Sequence, residues 1–492
     1  MTGREATVAA VDLGASSGRV IAARITPDGL SAREVHRFPN TPVRVRGLLH
    51  WDALALFRGV LDGLRAARAA VGALDAVGID GWAVDYGLLD AEGRLLGNPV
   101  HYRDPRTGPA LAAALETVGA QGLWDATGVA AQPFNTVFQM LAEPPAALDR
   151  ARRLLLVPDL VAYWLGAEPG TELTNASTTG LLDARTRQWS ADLAGRLDVR
   201  LDLFPPLRSP GTLAGTVSAE AATEAGLDGR PSLVTVPSHD TAAAVAGIPA
   251  AGPDVAFVSS GTWALVGLTI PEPIVTEASR VAGFTNEVGS RGQIRFLRNV
   301  TGFWLLQECV RHWQRAGLPA DVAELTTAAA AVPALRSLVD VQHPDFLAPA
   351  DMPAAILAHA RRTGGPTPGT PAEVTRCVLD SVALAVRQAL RDATRLAGRD
   401  AAVVHLIGGG VANPLFCQLV ADACGRPVLA GPTEAASLGN VLHQAEALGV
   451  VADVPERRAA LLATAQPPVR YEPRGDEGAW AAADERVLAT RR

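Results

Sequence analysis

The sequence predicts a mixed α/β protein built as more than one domain, and three observations carry that prediction. Its 492 residues exceed what one ordinary hydrophobic core holds, so two or three domains are expected. The apolar run VAAVDLG, a Gly/Ser turn and a second run, VIAARI, spell two strands around a turn, and the same grammar returns in VAFVSSGTWALVGL. Between these hairpins lies a stretch with helical spacing, so strands and helices alternate along the chain. Two such hairpins, far apart in sequence, fit a duplication with one unit per domain; chance recurrence of a simple hairpin fits as well.

The first strand ends in Asp12, and Ala15-Ser16-Ser17-Gly18-Arg19 makes the turn and opens the second strand. Such a turn offers several N–H groups in a concave arrangement suited to phosphate oxygens. The Asp12 carboxylate can hold Mg²⁺ through water, because this ion keeps much of its hydration shell. Arg19 adds a donor fork. A plain hairpin whose glycine serves backbone geometry is the competing reading.

From Trp51 onward, Leu54, Leu56, Phe57, Val60, Leu61 and Leu64 fall on one face of an amphipathic helix. Asp90-Ala91-Glu92-Gly93 then marks a turn. Ser238-His239-Asp240-Thr241 follows the apolar LVTVP and precedes the small-residue helix AAAVAG. Asp240 suits the N-cap of that helix. A carboxylate beside a helix start also stays ionised and can accept a hydroxyl proton. His239 is assigned to substrate contact, and no metal site is expected there.

GIPAAGPD, residues 247–254, is the candidate hinge, and RRTGGPTPGTP, from Arg361 to Pro371, is a surface loop by composition. Gly408–Gly410 sit between an apolar strand and a helix punctuated by Asn413, Pro414, Gly425 and Pro427. Bare backbone there lets a flat ligand such as adenosine approach; tight strand–helix packing would need the same glycines. A polyol pocket requires amides, carboxylates and an aromatic face. Asp80, Trp82, Asp85, Asn98, His101, Arg103, Asp104, Asn299 and Gln307 could supply them, and each has a structural alternative.

Bulk properties exclude several classes. All 44 basic residues are Arg, because the chain contains no lysine. A P-loop NTPase, a protein kinase or a Schiff-base enzyme each needs one. Any phosphate must therefore be held by backbone N–H groups, hydroxyls, a metal ion or Arg. A net charge of −7 argues against nucleic acid or an anionic membrane as the main partner. No targeting leader or membrane-length apolar run is recognised, so a cytoplasmic enzyme is expected. The 4 cysteines are too few for a disulfide framework in so long a chain. Cys417 and Cys424, seven residues apart on one helix, stand about 10 Å apart, too far to bridge.

Together, AVDLGASSGRV, GIDGWAVDYGLLDAEGRLLGNPVHYRD, PFNT, SHDTAAAV, SSGTWALVG, RNVTGFWLLQ and IGGGVANPLFCQLVADACGRPVLAGPTEAASLGN resemble the FGGY carbohydrate kinases, and among them the bacterial L-rhamnulose kinases. The stretches occur in the expected order from near residue 8 to near residue 449. The resemblance implies two actin-like, ribonuclease-H-like lobes of α/β fold with sugar and ATP in a central cleft. It implies a first lobe over 1–247 with the sugar and the first phosphate loop, an ATP-side lobe over 248–455, and a helical tail over 456–492. The implied activity is transfer of the ATP γ-phosphoryl to the C1 hydroxyl of L-rhamnulose, with Mg²⁺.

By position, Ala15, Ser16, Ser17, Gly18, Arg19, Thr262, Gln307 and Gly409 fall at the nucleotide. Ala83, His239, Asp240, Thr241 and Asn299 fall at the sugar, with Asp240 as the base and Asp12 near the metal. The family reads Asp-Thr-Trp-Gly-Val-Asp where this chain has Asp80-Gly81-Trp82-Ala83-Val84-Asp85. A methyl group replaces a sugar-facing glycine, which puts the acceptor range in question. Rival readings are a kinase for another ketose or polyol, such as L-fuculose or L-xylulose, and a non-catalytic ATP-gated protein. Asp240 and the sugar-lining segments argue against the second rival.

Overall fold

The computed structural model describes residues 5–252, 254–318, 320–347, 349–362 and 365–490. Contacts divide them into two units. The first comprises the described residues of Met1–Gly252, Ile270–Phe296 and Ala435–Pro467; the second, those of Pro253–Thr269, Leu297–Glu434 and Pro468–Arg492. The units interleave along the chain, whereas the resemblance implied a cut in chain order at 247/248. The expected helical tail is also divided, with a helix at Pro455–Ala465 in the first unit and a strand and a helix, Glu477–Ala489, in the second.

The first unit holds β1 (Ala6–Leu13), β2 (Ser17–Thr26), β3 (Gly29–Pro39), β4 (Ala76–Gly81), β5 (Thr212–Thr216) and β6 (Ser232–Thr235), in the order β5-β6-β4-β1-β2-β3. Strand β1 is central and buried at nearly every position. Its alternation explains why: Ala9, Val11 and Leu13 pack in a cluster with Val60 and Leu64 of α1 (Ala53–Val71). Val8 and Ala10 pack instead with Leu438 and Val441 of the helix Ala435–Ala447. A strand covered on both faces reads as a continuous apolar run.

Asp52 caps α1 by accepting from the Ala55 N–H. Leu56, Val60, Leu61 and Leu64 face inward, but Leu54 is 66% exposed and does not belong to the buried face the spacing assigned it to. Helix α2 (Asp240–Ala246) follows β6. It crosses the Ala435–Ala447 helix so closely that a Cβ at Gly439 would sit 1.9 Å from the Ala243 carbonyl oxygen, and one at Gly247 would sit 2.1 Å from that of Ala435.

The second unit repeats the wiring of the first. Strands β7 (Ala256–Ser260) and β8 (Trp263–Ile270) form the second hairpin. The hairpin β9 (Thr285–Val288) and β10 (Ile294–Thr301) begins in the first unit and enters the second within β10. After it come α3 (Trp304–Arg315), α4 (Pro371–Ala397), β11 (Val404–Ile407), α5 (Pro414–Cys424), β12 (Val428–Ala430) and β13 (Val469–Tyr471). The sheet of this unit runs β10-β8-β7-β11-β12-β13. As β1 pairs antiparallel with β2 and parallel with β4, so β7 pairs antiparallel with β8 and parallel with β11.

Of the expected surface loop, Arg361 and Arg362 end a helix, and Thr363 and Gly364 lie outside the described residues, as does Pro253 of the candidate hinge. The four cysteines are free thiols. No helix among the described residues is long and apolar enough to cross a membrane.

Candidate active site

Strand register gathers the carboxylates of the first unit. Parallel pairing sets Asp12 of β1 beside Asp80 of β4, antiparallel pairing sets Asp12 opposite Arg19 of β2, and a bridge joins Gly81 to His239. Adjacent parallel strands thus end together, and the loop into α2 starts beside them. Arg19 Nε lies 3.2 Å from Asp12 Oδ2. Asp80 is fully buried, and burial, the Asp12 charge and the Asp240 charge together drive its carboxyl well above the usual range against a hydrogen bond from Asn440. That bond, Asn440 Nδ2 to Asp80 Oδ2, is 2.7 Å long. Asp80 therefore favours its protonated form, which relieves the crowding of three carboxylates.

Asp240 is the first residue of α2, and His239 takes the N-cap position without a capping hydrogen bond. The expectation that Asp240 caps the helix is corrected: its carboxylate is turned to its neighbours instead. His239 Nε2 lies 3.4 Å from Oδ1, and Thr241 Oγ1 donates to the same oxygen at 3.1 Å. Both contacts fall on Oδ1 of a side chain that is 37% exposed.

The loop before Asp240 is tied from beneath. Glu172 is fully buried and accepts from the Ser238 N–H at 3.0 Å and from Ser238 Oγ at 3.1 Å. The same carboxylate caps the short helix Leu173–Ala176 through the amides of Thr174 and Asn175. Burial raises its pKa, opposed by these bonds.

Ala83 is partly buried, and the following Val84 has φ 71°, a conformation costly for a β-branched residue. The Val84 carbonyl accepts from Thr136 Oγ1 at 2.7 Å and from Gln139 Nε2 at 3.3 Å. Asp85, proposed from sequence for a polyol pocket, points inward. It accepts from Trp51 Nε1 at 2.6 Å, Trp82 Nε1 at 3.0 Å and Gln139 Nε2 at 2.8 Å, and burial pushes its pKa up to about 6. Trp82 is buried, and His101 stacks on Trp51 with centroids 4.0 Å apart. Asp104 accepts from the Leu49 and Arg106 amides, Arg103 reaches the Tyr102 hydroxyl, and Asn98 is exposed. Trp51, Trp82 and Gln139, through Asp85, hold the segment that carries Ala83.

The first glycine turn is tight. A Cβ at Gly14 would lie 2.7 Å from the Ser17 carbonyl oxygen, and one at Gly18 would lie 2.3 Å from the Phe38 ring. Asn40 Nδ2 donates to the Gly14 carbonyl at 2.9 Å, leaving Ala15 and Ser16 at an exposed tip.

The second unit assembles the other sequence-derived group. The Gly261-Thr262 turn docks on the start of α3: the Phe303 amide donates to the Gly261 carbonyl at 3.0 Å, and the Trp304 amide to that of Thr262 at 3.2 Å. This brings Thr262 Oγ1 to 3.3 Å from Gln307 Oε1. Gly408 has φ 82° and no room for a Cβ beside the Ser260 carbonyl oxygen, 2.9 Å away. Gly409 is exposed, and a Cβ there would meet nothing nearer than 3.9 Å. One glycine is thus required by geometry, and the next leaves an open backbone face. Asn299 lies on β10, and its carbonyl accepts from Gln342 Nε2 at 3.1 Å.

Sequence reasoning missed Glu172, Asn440, Glu287 and Arg295. One signal was present for the last: an Arg inside the buried run Ile294-Arg295-Phe296-Leu297. Among the described residues no cluster of three or more His, Cys, Asp or Glu side chains is arranged to hold a metal ion.

Residues 7–247 match the N-terminal domain of the FGGY family of carbohydrate kinases, and residues 256–448 match its C-terminal domain. The chain is 38% identical to the rhamnulokinase of Bacteroides thetaiotaomicron over 96% of this chain and 97% of that protein. It is 39% identical to the rhamnulokinase of Enterococcus faecalis over 92% of each. Its fold is like that of a ligand-bound xylulose kinase from Lactobacillus acidophilus, with TM-score 0.80 at 16% identity over 99% of this chain and 97% of the other. It is also like that of Plasmodium falciparum glycerol kinase with ADP, with TM-score 0.77 at 15% identity over 98% of each. Matched along both domains and across nearly the whole of its relatives, the chain belongs to the FGGY family of carbohydrate kinases.

Proposed function

We propose that the protein transfers the γ-phosphoryl group of ATP to the C1 hydroxyl of L-rhamnulose, yielding L-rhamnulose 1-phosphate and ADP. Full-length likeness to rhamnulokinases supports the acceptor. The observation that carries the chemistry is Asp240, whose Oδ1 is engaged by His239 and Thr241 while Oδ2 stays open.

The hydroxyl proton passes to Asp240 Oδ2 as the hydroxyl oxygen bonds to the γ-phosphorus. The bond from that phosphorus to the β–γ bridging oxygen breaks, and its electron pair leaves with ADP. Phosphoryl transfer has a loose transition state, so the protein's main work is positioning and charge neutralisation. Without lysine, the phosphates would be held by the Ala15–Arg19 turn, Thr262, Gln307 and the open backbone at Gly409. Mg²⁺, when bound with ATP, neutralises phosphate charge. Asp12 would be the carboxylate that holds the ion through water, as suits an ion that keeps much of its hydration shell. His239, Thr241, Asn299 and the backbone around Ala83 would contact the sugar. The free, mostly buried thiols suit the reducing cytoplasm.

Ala83 is the position at which this chain would differ in acceptor range. Sugar-dependent ADP release, measured with L-rhamnulose, L-fuculose, L-xylulose and glycerol, tests the reading. The expected result is the highest kcat/KM on L-rhamnulose with phosphate on C1. A higher value on another acceptor would move the assignment, and ADP release that no sugar stimulates would return the non-catalytic reading.

A further inference from the structure

Arg295 of β10 is 0% exposed. Its Nη2 lies 3.0 Å from His239 Nδ1, 2.9 Å from Glu287 Oε2 and 3.5 Å from the Val288 carbonyl oxygen. Its Nε and Nη1 find no partner among the described residues. Burying a guanidinium carries a desolvation penalty, so apolar packing alone would not favour an Arg here.

The geometry fixes the His239 tautomer. A guanidinium has only donors, so a proton on Nδ1 would point at an Arg295 N–H across 3.0 Å. The competing acceptor for that proton, Glu287 Oε2, is farther away at 3.4 Å. Nδ1 therefore accepts, the ring proton sits on Nε2, and Nε2 faces Asp240 Oδ1 at 3.4 Å. On the remaining side, the His239 amide meets Thr174 Oγ1 at 3.4 Å.

We propose that Glu287 and Arg295 are positioning residues for phosphoryl transfer: their ion pair locks His239 in the Nε2–H form, and His239 then holds Oδ1 of Asp240 so that Oδ2 takes the acceptor proton. The inference rests on Asp240 being the base. Interposing an imidazole has a chemical purpose, because a guanidinium placed directly on Asp240 would make it a weaker base. Glu287 balances the Arg295 charge. Although burial pushes the Glu287 carboxyl up, the Arg295 charge beside it holds it below the usual carboxylate range. Burial in turn lowers the Arg295 pKa, opposed chiefly by Glu287.

Removing Arg295 alone would leave a buried carboxylate unpaired, so the test uses Glu287→Gln/Arg295→Met, which removes both charges together. The full-length protein is labelled with ¹⁵N-histidine, and the His239 signals are assigned by their loss in His239→Gln. In the wild type, Nε2 should be protonated and Nδ1 bare. In the double variant the Nδ1–H form should appear, and kcat on L-rhamnulose should fall by roughly 10- to 100-fold while KM for ATP holds. A purely structural pair would leave tautomer and kcat alone once folding is matched by thermal melting, and that result would overturn the proposal. Nδ1–H in the wild type would overturn it too.

Should the double variant fail to fold, His239→Gln and His239→Asn decide. The longer amide can present an N–H where Nε2 stood, so Gln should retain several-fold more turnover than Asn. Equal or reversed activity contradicts the proposal. A wild type inactive on every acceptor defeats the kinase reading whatever the tautomer, whereas an active wild type carrying Nδ1–H defeats this inference alone.

Discussion

Asp85 shows what a buried carboxylate does to stability. Its pKa rises from near 3.9 in an unfolded chain to about 6 here because burial disfavours the charge. Between those values the folded protein binds more protons than the unfolded chain, so this group's contribution is greatest below pH 4 and is lost as pH rises through 6. Asp85→Asn should remove that dependence. The melting temperature of the wild type, relative to the variant, should fall between about pH 4 and pH 6. A flat difference would show that Asp85 does not carry it. Asp240 was legible in the sequence because it sits where an apolar strand meets a small-residue helix, although it opens that helix rather than capping it. Asp85 was legible as a polar group but not as an inward one, since its partners Trp51 and Gln139 lie 34 and 54 residues away. Glu287 and Arg295 meet His239 only through a hairpin that returns from beyond β8, so no local pattern links them.

Helix α2 owes its placement to two glycines that no side chain could replace. Gly439→Ala would drive a methyl group into the Ala243 carbonyl, so the two helices must part. A loss of about 2–3 kcal/mol in urea unfolding is expected from such overpacking, with reduced turnover because Asp240 opens the displaced helix. Unchanged stability would mean that the crossing is looser than described. Asn413→Ala should cost about 1 kcal/mol, since the side chain accepts from the Phe416 amide at the start of α5. That helix was legible at both ends, from Asn413 and Pro414 to Gly425, because caps are local chemistry. The hairpins were legible for the same reason. The face of α1 was legible except at Leu54, whose hydrophobicity says nothing about which way the helix turns it.

For the molecule as a whole, the contact units interleave along the chain, while the two family domains follow one another at 7–247 and 256–448. Segments 270–296 and 435–467 return to the first unit because Glu287 and Arg295 meet His239 there and Asn440 meets Asp80. These ties join residues far apart in sequence, which periodicity cannot reveal. Composition gave firmer ground: a chain without lysine has backbone N–H groups, hydroxyls, a metal ion or Arg for any phosphate it binds. An amine-acylating reagent should therefore leave activity intact, while an arginine-directed dicarbonyl should abolish it and ATP should protect. Loss of activity on acylation would contradict that account. The proposed transfer stands on Asp240 taking the acceptor proton. Its most direct test compares ADP release driven by L-rhamnulose in the wild type and in Asp240→Asn, with thermal melts run in parallel. With Asp240 as the proton acceptor, the melt should be unaltered and turnover lower by roughly 10² or more. Near-wild-type turnover in a folded Asp240→Asn protein would contradict it.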